Sequence, residues 1–232
     1  MRLYICWGTG GSAHHDCHKA YQALVDAGHS PEIVKARGQE HLPKFLQRKV
    51  RREVHALTGS FFVPVLVLDD GTAIAETMAI CRYFEELQPE PNLFGRGALE
   101  SALVEMWNRR VELNLYWPTS QAFRHLHPAM AVREKPQVPE WGEANKPKAL
   151  AFLALFEQEL SKRGYAACDR FTVADITAYV TVDFMRLAKL EVPEDFKNVR
   201  RWHGEIAARP SARTAGCRRP TRYWRRRRPP DR

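Results

Sequence analysis

Residues 61–80 read FFVPVLVLDDGTAIAETMAI. The run at 63–68 is apolar and rich in β-branched residues, as a strand requires, yet Pro64 stands inside it. Proline has no amide hydrogen to give to a sheet ladder, so an ordinary central strand is excluded there and some other use of the position is expected. Asp69-Asp70-Gly71 has the composition of a tight hairpin turn, and Thr72–Ala75 is short enough to be the returning strand. Glu76 and Thr77 then head a stretch with apolar residues at Met78, Ile80, Cys81 and Phe84, the spacing of an amphipathic helix.

Working outward, LYICW (3–7) and SPEIVKA (30–36) read as strands, while HKAYQALVDAG (18–28) and REVHALTG (52–59) read as helices closed by glycine. The order over residues 1–87 is therefore βαβαββα, a small mixed sheet with helices. QPEPNLFG (88–95) has two prolines and a glycine and reads as a linker. Beyond it the apolar period is helical throughout, which makes the chain α+β with an all-α second domain over 96–212. A helix over 98–118 is expected to stop at Pro118. Another, over 145–164, is expected to hold Pro147 in its first turn. In FTVADI (171–176), Thr172 and Asp175 have capping-box spacing and Phe171 and Ile176 the spacing of a hydrophobic staple, which marks a firmly started helix.

Composition narrows the function classes. The chain has 232 residues and a net charge of +9. Nine arginines and one aspartate after residue 212 carry +8 of it, so the rest is nearly neutral. The segment 213–232, with Tyr223 and Trp224 among the arginines, is expected to be disordered. Electrostatic contact with nucleic acid through it is the alternative. No apolar run reaches about 18 residues, so no membrane span is expected, and MRLYICWG has no signal-peptide plan. The five cysteines are scattered without a zinc-like spacing, which points to reduced thiols and a cytoplasmic setting. His14, His15 and His18 lack a carboxylate or cysteine at ligand spacing, and no metal is expected.

The βαβαββα order is thioredoxin-like. In that setting a proline before the hairpin is cis, and it turns the Val63 backbone toward a cleft where an extended peptide can pair with it. The helix start at Glu76-Thr77 faces the same cleft, and its N–H groups and dipole suit a carboxylate. The plain structural alternative is a strand-edge proline beside an ordinary helix cap.

With VPVLVLDDGTAIAETMAICRYFEEL (63–87), PNLFG (91–95), FTVADI (171–176) and the helix segment MWNRRVEL (106–113), the chain resembles the cytosolic glutathione S-transferase superfamily over about residues 1–212. The resemblance implies that Val63, beside Pro64, holds the cysteinyl part of glutathione. It implies that Glu76 and Thr77, in place of an acid–serine pair, hold the γ-glutamyl part. It also implies a detoxifying enzyme that attacks a hydrophobic electrophile with the glutathione thiolate, and a homodimer.

Family members place Tyr, Ser or Cys between the first strand and first helix to hydrogen-bond the glutathione sulfur. Here that stretch is CWGTGGSAHHDCHKAY (6–21), where Thr9, Ser12 and Cys17 are the candidates. Ser12 also fits a turn. Cys17, near a helix start that lowers a thiol pKa, also fits a small apolar filler. Some relatives have no side-chain catalyst and use helix-end N–H groups and a water. Trp107, Tyr116, Gln121, Phe123 and His125 are the groups available to an electrophile pocket, with bundle core as the alternative. Two other functions compete. One is a thiol-disulfide oxidoreductase using Cys17 and glutathione. The other is a non-catalytic glutathione-binding or scaffold protein.

Overall fold

The computed structural model describes residues 1–6, 32–37, 52–60, 62–209 and 212. The expected helix at 18–28, the candidates Thr9, Ser12 and Cys17, and the arginine-rich segment 213–232 lie outside the described residues.

Among the described residues, four strands form one sheet. They are β1 (Arg2–Cys6), β2 (Glu32–Arg37), β3 (Val65–Val67) and β4 (Ala73–Ala75), in spatial order β2-β1-β3-β4. β1 pairs in parallel with β2 and antiparallel with β3, and β3 pairs antiparallel with β4. The parallel pair needs a crossover and the antiparallel pair only a hairpin, which is the mixed sheet that the alternation of elements predicts. Residues 52–58 are helical and end at Gly59, whose φ of +69° is open to glycine at little cost. Helix α1 (Thr77–Leu87) follows the hairpin and turns Ile80, Cys81 and Phe84 inward at helical spacing.

The second half is a helical bundle of α2 (Gly97–Val111), α3 (Trp117–Leu126), α4 (Pro139–Leu160), α5 (Val173–Met185) and α6 (Lys197–Ala207). Two boundaries differ from the sequence expectation. The helix at 98–118 does not stop at Pro118. A π-turn over Glu112–Tyr116 joins α2 directly to α3. Proline removes one i→i−4 bond and crowds the carbonyl four residues back, and a turn widened just ahead of it relieves both. Likewise α4 begins at Pro139, so Pro147 is an interior residue rather than a first-turn one. Pro147 and Glu143 both sit on the exposed face, where solvent can satisfy the carbonyl that proline leaves free.

The core is centred on α5. Val173, Ala174, Ala178, Val182, Phe184 and Met185 are buried in one cluster with Trp107, Val111, Leu153, Phe156 and Trp202. α3 and α4 come close at Gly142, where a Cβ would stand 2.6 Å from Leu126 Cγ. Glu157 on α4 caps α6, taking Asn198 N–H at 3.0 Å and Val199 N–H at 2.8 Å. A carboxylate there also faces the positive end of the helix dipole.

The Thr172–Asp175 capping box forms as the spacing predicts. Asp175 Oδ2 accepts Thr172 N–H at 2.9 Å and its hydroxyl at 3.2 Å. Oδ1 accepts Ala166 N–H at 2.8 Å and the Trp202 indole N–H at 2.9 Å. Burial pushes the Asp175 carboxyl up from its ordinary range, while the four donors oppose that shift.

Among the described residues, no helix is long and apolar enough to cross a membrane.

Candidate functional site

The site is built by the β3–β4 hairpin. Its turn is fixed by Gly71 at φ +88° and by Asp70, whose carboxylate accepts Thr72 N–H at 2.8 Å. Hydrogen bonds from the Thr72 backbone and side chain hold the Asp70 carboxyl below its usual range. The register then pairs Val67 with Ala73 and Val65 with Ala75. That register brings the chain entering β3, at Val63 and Pro64, and the chain leaving β4, at Glu76 and Thr77, to the same end of the hairpin.

Two backbone features meet at that end. The Val63–Pro64 peptide bond is cis, and both residues are buried. Glu76 has φ +69° and ψ +126°, a conformation that a residue with a Cβ rarely adopts. Such outliers cost about 1–3 kcal/mol and persist where the surroundings hold them, often at ligand sites. The Glu76 side chain is exposed and makes no capping bond to the helix that it precedes. The helix ladder begins with Ile80 N–H donating to Glu76 O at 3.0 Å. The Thr77 N–H therefore lies outside the ladder. An anion can be held there by backbone N–H, the Thr77 hydroxyl and the dipole together.

The five candidates for an electrophile pocket lie along α2, the π-turn and α3, and the structure gives them separate surroundings. Trp107 is only 2% exposed and stands in the bundle core, 6.2 Å from the Phe156 ring, with the Arg110 and Arg163 guanidiniums 5.0 and 4.5 Å from its centre. Tyr116 is half-buried at the end of the π-turn, 6.2 Å from the Phe184 ring. Gln121 Oε1 accepts the Trp141 indole N–H at 3.1 Å. His125 Nδ1 accepts Val138 N–H at 3.0 Å and so helps close the α3–α4 connection. Phe123 is buried against Phe184. Tyr116 is thus a half-buried aromatic candidate, packed against the bundle core beside Phe184.

Sequence reasoning did not single out Glu85, Asn92 and Arg170, which together fasten α1 to the bundle. Asn92 and Gly95, three apart within PNLFG, are a spacing at which an asparagine side chain can bond a later backbone N–H, and that was the available signal.

A four-stranded sheet of thioredoxin order, with a cis-proline hairpin at its edge and an all-helical bundle behind it, defines a two-part protein of the thioredoxin-like class. Comparison with known proteins narrows this. Residues 25–87 match the glutathione S-transferase N-terminal domain and residues 117–210 the glutathione S-transferase C-terminal domain. Glutathione S-transferase 2 of Saccharomyces cerevisiae is 38% identical over 178 residues, covering 76% of this chain and 72% of that protein. The solved structure of Gtt2 from the same yeast has a TM-score of 0.79 at 33% identity, over 93% of this chain and 100% of that one. A class Gtt2 glutathione S-transferase of Vibrio parahaemolyticus has a TM-score of 0.74 at 34% identity, over 93% and 97%. The chain belongs to the glutathione S-transferase family.

Proposed function

We propose that this chain binds glutathione at the open end of the β3–β4 hairpin and transfers its thiolate to a hydrophobic electrophile. The observation that carries the reading is the hairpin register that brings Val63-Pro64 to the same end as the helix start at Glu76-Thr77, where the Glu76 side chain makes no cap. In this reading the Val63 backbone pairs with the cysteinyl part of the tripeptide, as an added strand pairs with a sheet edge. The γ-glutamyl carboxylate takes the Thr77 N–H and hydroxyl, and the Glu76 carboxylate faces the γ-glutamyl ammonium group.

The sulfur attacks an electrophilic carbon. A carbon–sulfur bond forms, the leaving group departs with the electron pair of the broken bond, and the thiol proton goes to solvent. The enzyme's task is to keep the thiolate available and to hold the two reactants in line. Ser12 and Cys17 are the proposed groups at the sulfur. Tyr116, together with Trp107, Gln121 and His125, is proposed to line the electrophile side. The working form is proposed to be a cytoplasmic homodimer engaged in detoxification.

A conjugation assay with a generic aryl halide, run beside retention on immobilised glutathione, tests the reading. Retention with turnover supports it. Retention without turnover leaves a non-catalytic binding protein, and failure of both overturns it. Cys17→Ser separates the chemistries, because a hydroxyl at position 17 can still donate to the glutathione thiolate, so conjugation survives, whereas a thiol-disulfide exchange through Cys17 does not.

A further inference from the structure

One side-chain amide joins the far end of α1 to the bundle. Asn92 donates from Nδ2 to Glu85 Oε1 at 2.7 Å. Its Oδ1 accepts Gly95 N–H at 3.0 Å and also the Arg170 guanidinium, which reaches the Asn92 backbone carbonyl as well. The amide thus stands between a carboxylate on α1 and a guanidinium just ahead of α5, each end facing the charge it suits.

Both charges are held from other sides. Glu85 accepts the backbone N–H groups of Leu93 at 2.9 Å and Phe94 at 3.2 Å. Arg170 forks onto Glu100 of α2, Nε to Oε1 at 3.0 Å and Nη2 to Oε2 at 3.1 Å. Leu93 O accepts Val173 N–H at the first turn of α5, at 2.9 Å. The Arg82 guanidinium of α1 lies 4.0 Å from the centre of the Phe94 ring, and that ring is buried in the bundle core. Gly95 is required where it stands, since a Cβ there would meet Ser101 N at 2.4 Å and φ is +99°.

This network grips the end of α1 opposite to the one that carries the ligand site. Thr77 and Glu85 are eight residues apart on one helix, about 12 Å along its axis. We propose that Glu85, Asn92 and Arg170 are positioning residues that set the tilt of α1, and of a glutathione held at its Thr77 end, against the bundle that receives the electrophile. The inference rests on the glutathione reading above and extends it to the second substrate. Glutathione bound through the hairpin and the α1 start touches one side only and is indifferent to that tilt. A ligand that also reaches the bundle is not.

Calorimetry with two probes, glutathione and S-hexylglutathione, separates these cases without requiring turnover. In Arg170→Ala, glutathione affinity stays within about twofold while S-hexylglutathione binds about tenfold more weakly. Asn92→Asp, a smaller change that faces Glu85 with a second carboxylate, moves the two affinities in the same way and serves if Arg170→Ala does not fold. A hexyl conjugate that keeps its affinity in the folded variants overturns the proposal. So does an equal loss of both ligands, which is what general damage to α1 produces. If the unaltered chain binds neither probe, the hairpin site itself is wrong and the inference falls with it.

Discussion

Two helices of this protein begin in opposite ways. α5 begins closed. Thr172 and Asp175 form a capping box, and the Asp175 carboxylate, with no exposed surface, takes four hydrogen bonds from its own chain. α1 begins open. Glu76 is exposed, held at positive φ, and makes no side-chain cap. A helix start leaves N–H groups that need partners. Where the chain supplies them all, the start is a stability element. Where the residue ahead of the helix makes no side-chain cap and stands at positive φ, as Glu76 does, the start is a candidate ligand site.

The largest effect expected from this contrast is at the closed start. Asp175→Ala orphans the Ala166, Thr172 and Trp202 N–H groups in a buried setting, each worth about 1–3 kcal/mol. A loss of about 3–5 kcal/mol in a urea melt is expected. A loss under about 1 kcal/mol would mean that water replaces the carboxylate and that the start is not closed in the sense used here.

The open start predicts the reverse sign. Glu76→Gly puts glycine at φ +69°, where it has no Cβ penalty, and a net gain of about 1 kcal/mol is expected after glycine's extra chain entropy. Glutathione affinity falls at the same time, because the carboxylate is gone. A melt showing that Glu76→Gly destabilises the chain would remove the argument that strain is stored there for a ligand.

How much of this contrast was legible in the sequence depended on whether its causes were local. The capping box could be read because Thr172 and Asp175 are three residues apart and the signal is one turn of helix. Pro64 and the Asp70-Gly71 turn could be read because proline and glycine constrain their own backbone. The positive φ of Glu76 could not, since nothing about glutamate announces it. The continuation of the helix past Pro118 was also hidden, because the π-turn that permits it is spread over residues 112–116. The Glu85–Asn92–Arg170 network joins residues up to 85 apart in the chain, and only the folded bundle brings them together. The indole N–H of Trp202 at Asp175 has the same character. For the electrophile side, sequence listed aromatic and polar groups on one helical run but could not distinguish Trp107, sealed in the core, from half-buried Tyr116.

A smaller effect tests the network that joins the two regions. Hydrogen bonds from Arg170, then from Arg96 N–H, lower the Glu100 carboxyl from 4.5 to about 2. The folded state therefore binds this proton less tightly than the unfolded chain does. The contribution to stability is complete above about pH 4.5 and drains away as pH falls toward 2. In Glu100→Gln that part of the acid dependence is absent, and melts across this pH range are flatter than those of the unaltered chain. Identical acid profiles for the two would show that the Arg170–Glu100 contact contributes nothing measurable, as many exposed ion pairs do.

The central claim is that the open start of α1 holds the glutathione carboxylate, and calorimetric titration of glutathione into the unaltered chain and into Thr77→Ala addresses it most directly. Loss of one hydrogen bond to a charged group is worth about 1.5–3 kcal/mol, so affinity in Thr77→Ala should fall roughly ten- to a hundredfold with the melting temperature nearly unchanged. Equal affinities in the two proteins would contradict the account and place the carboxylate elsewhere.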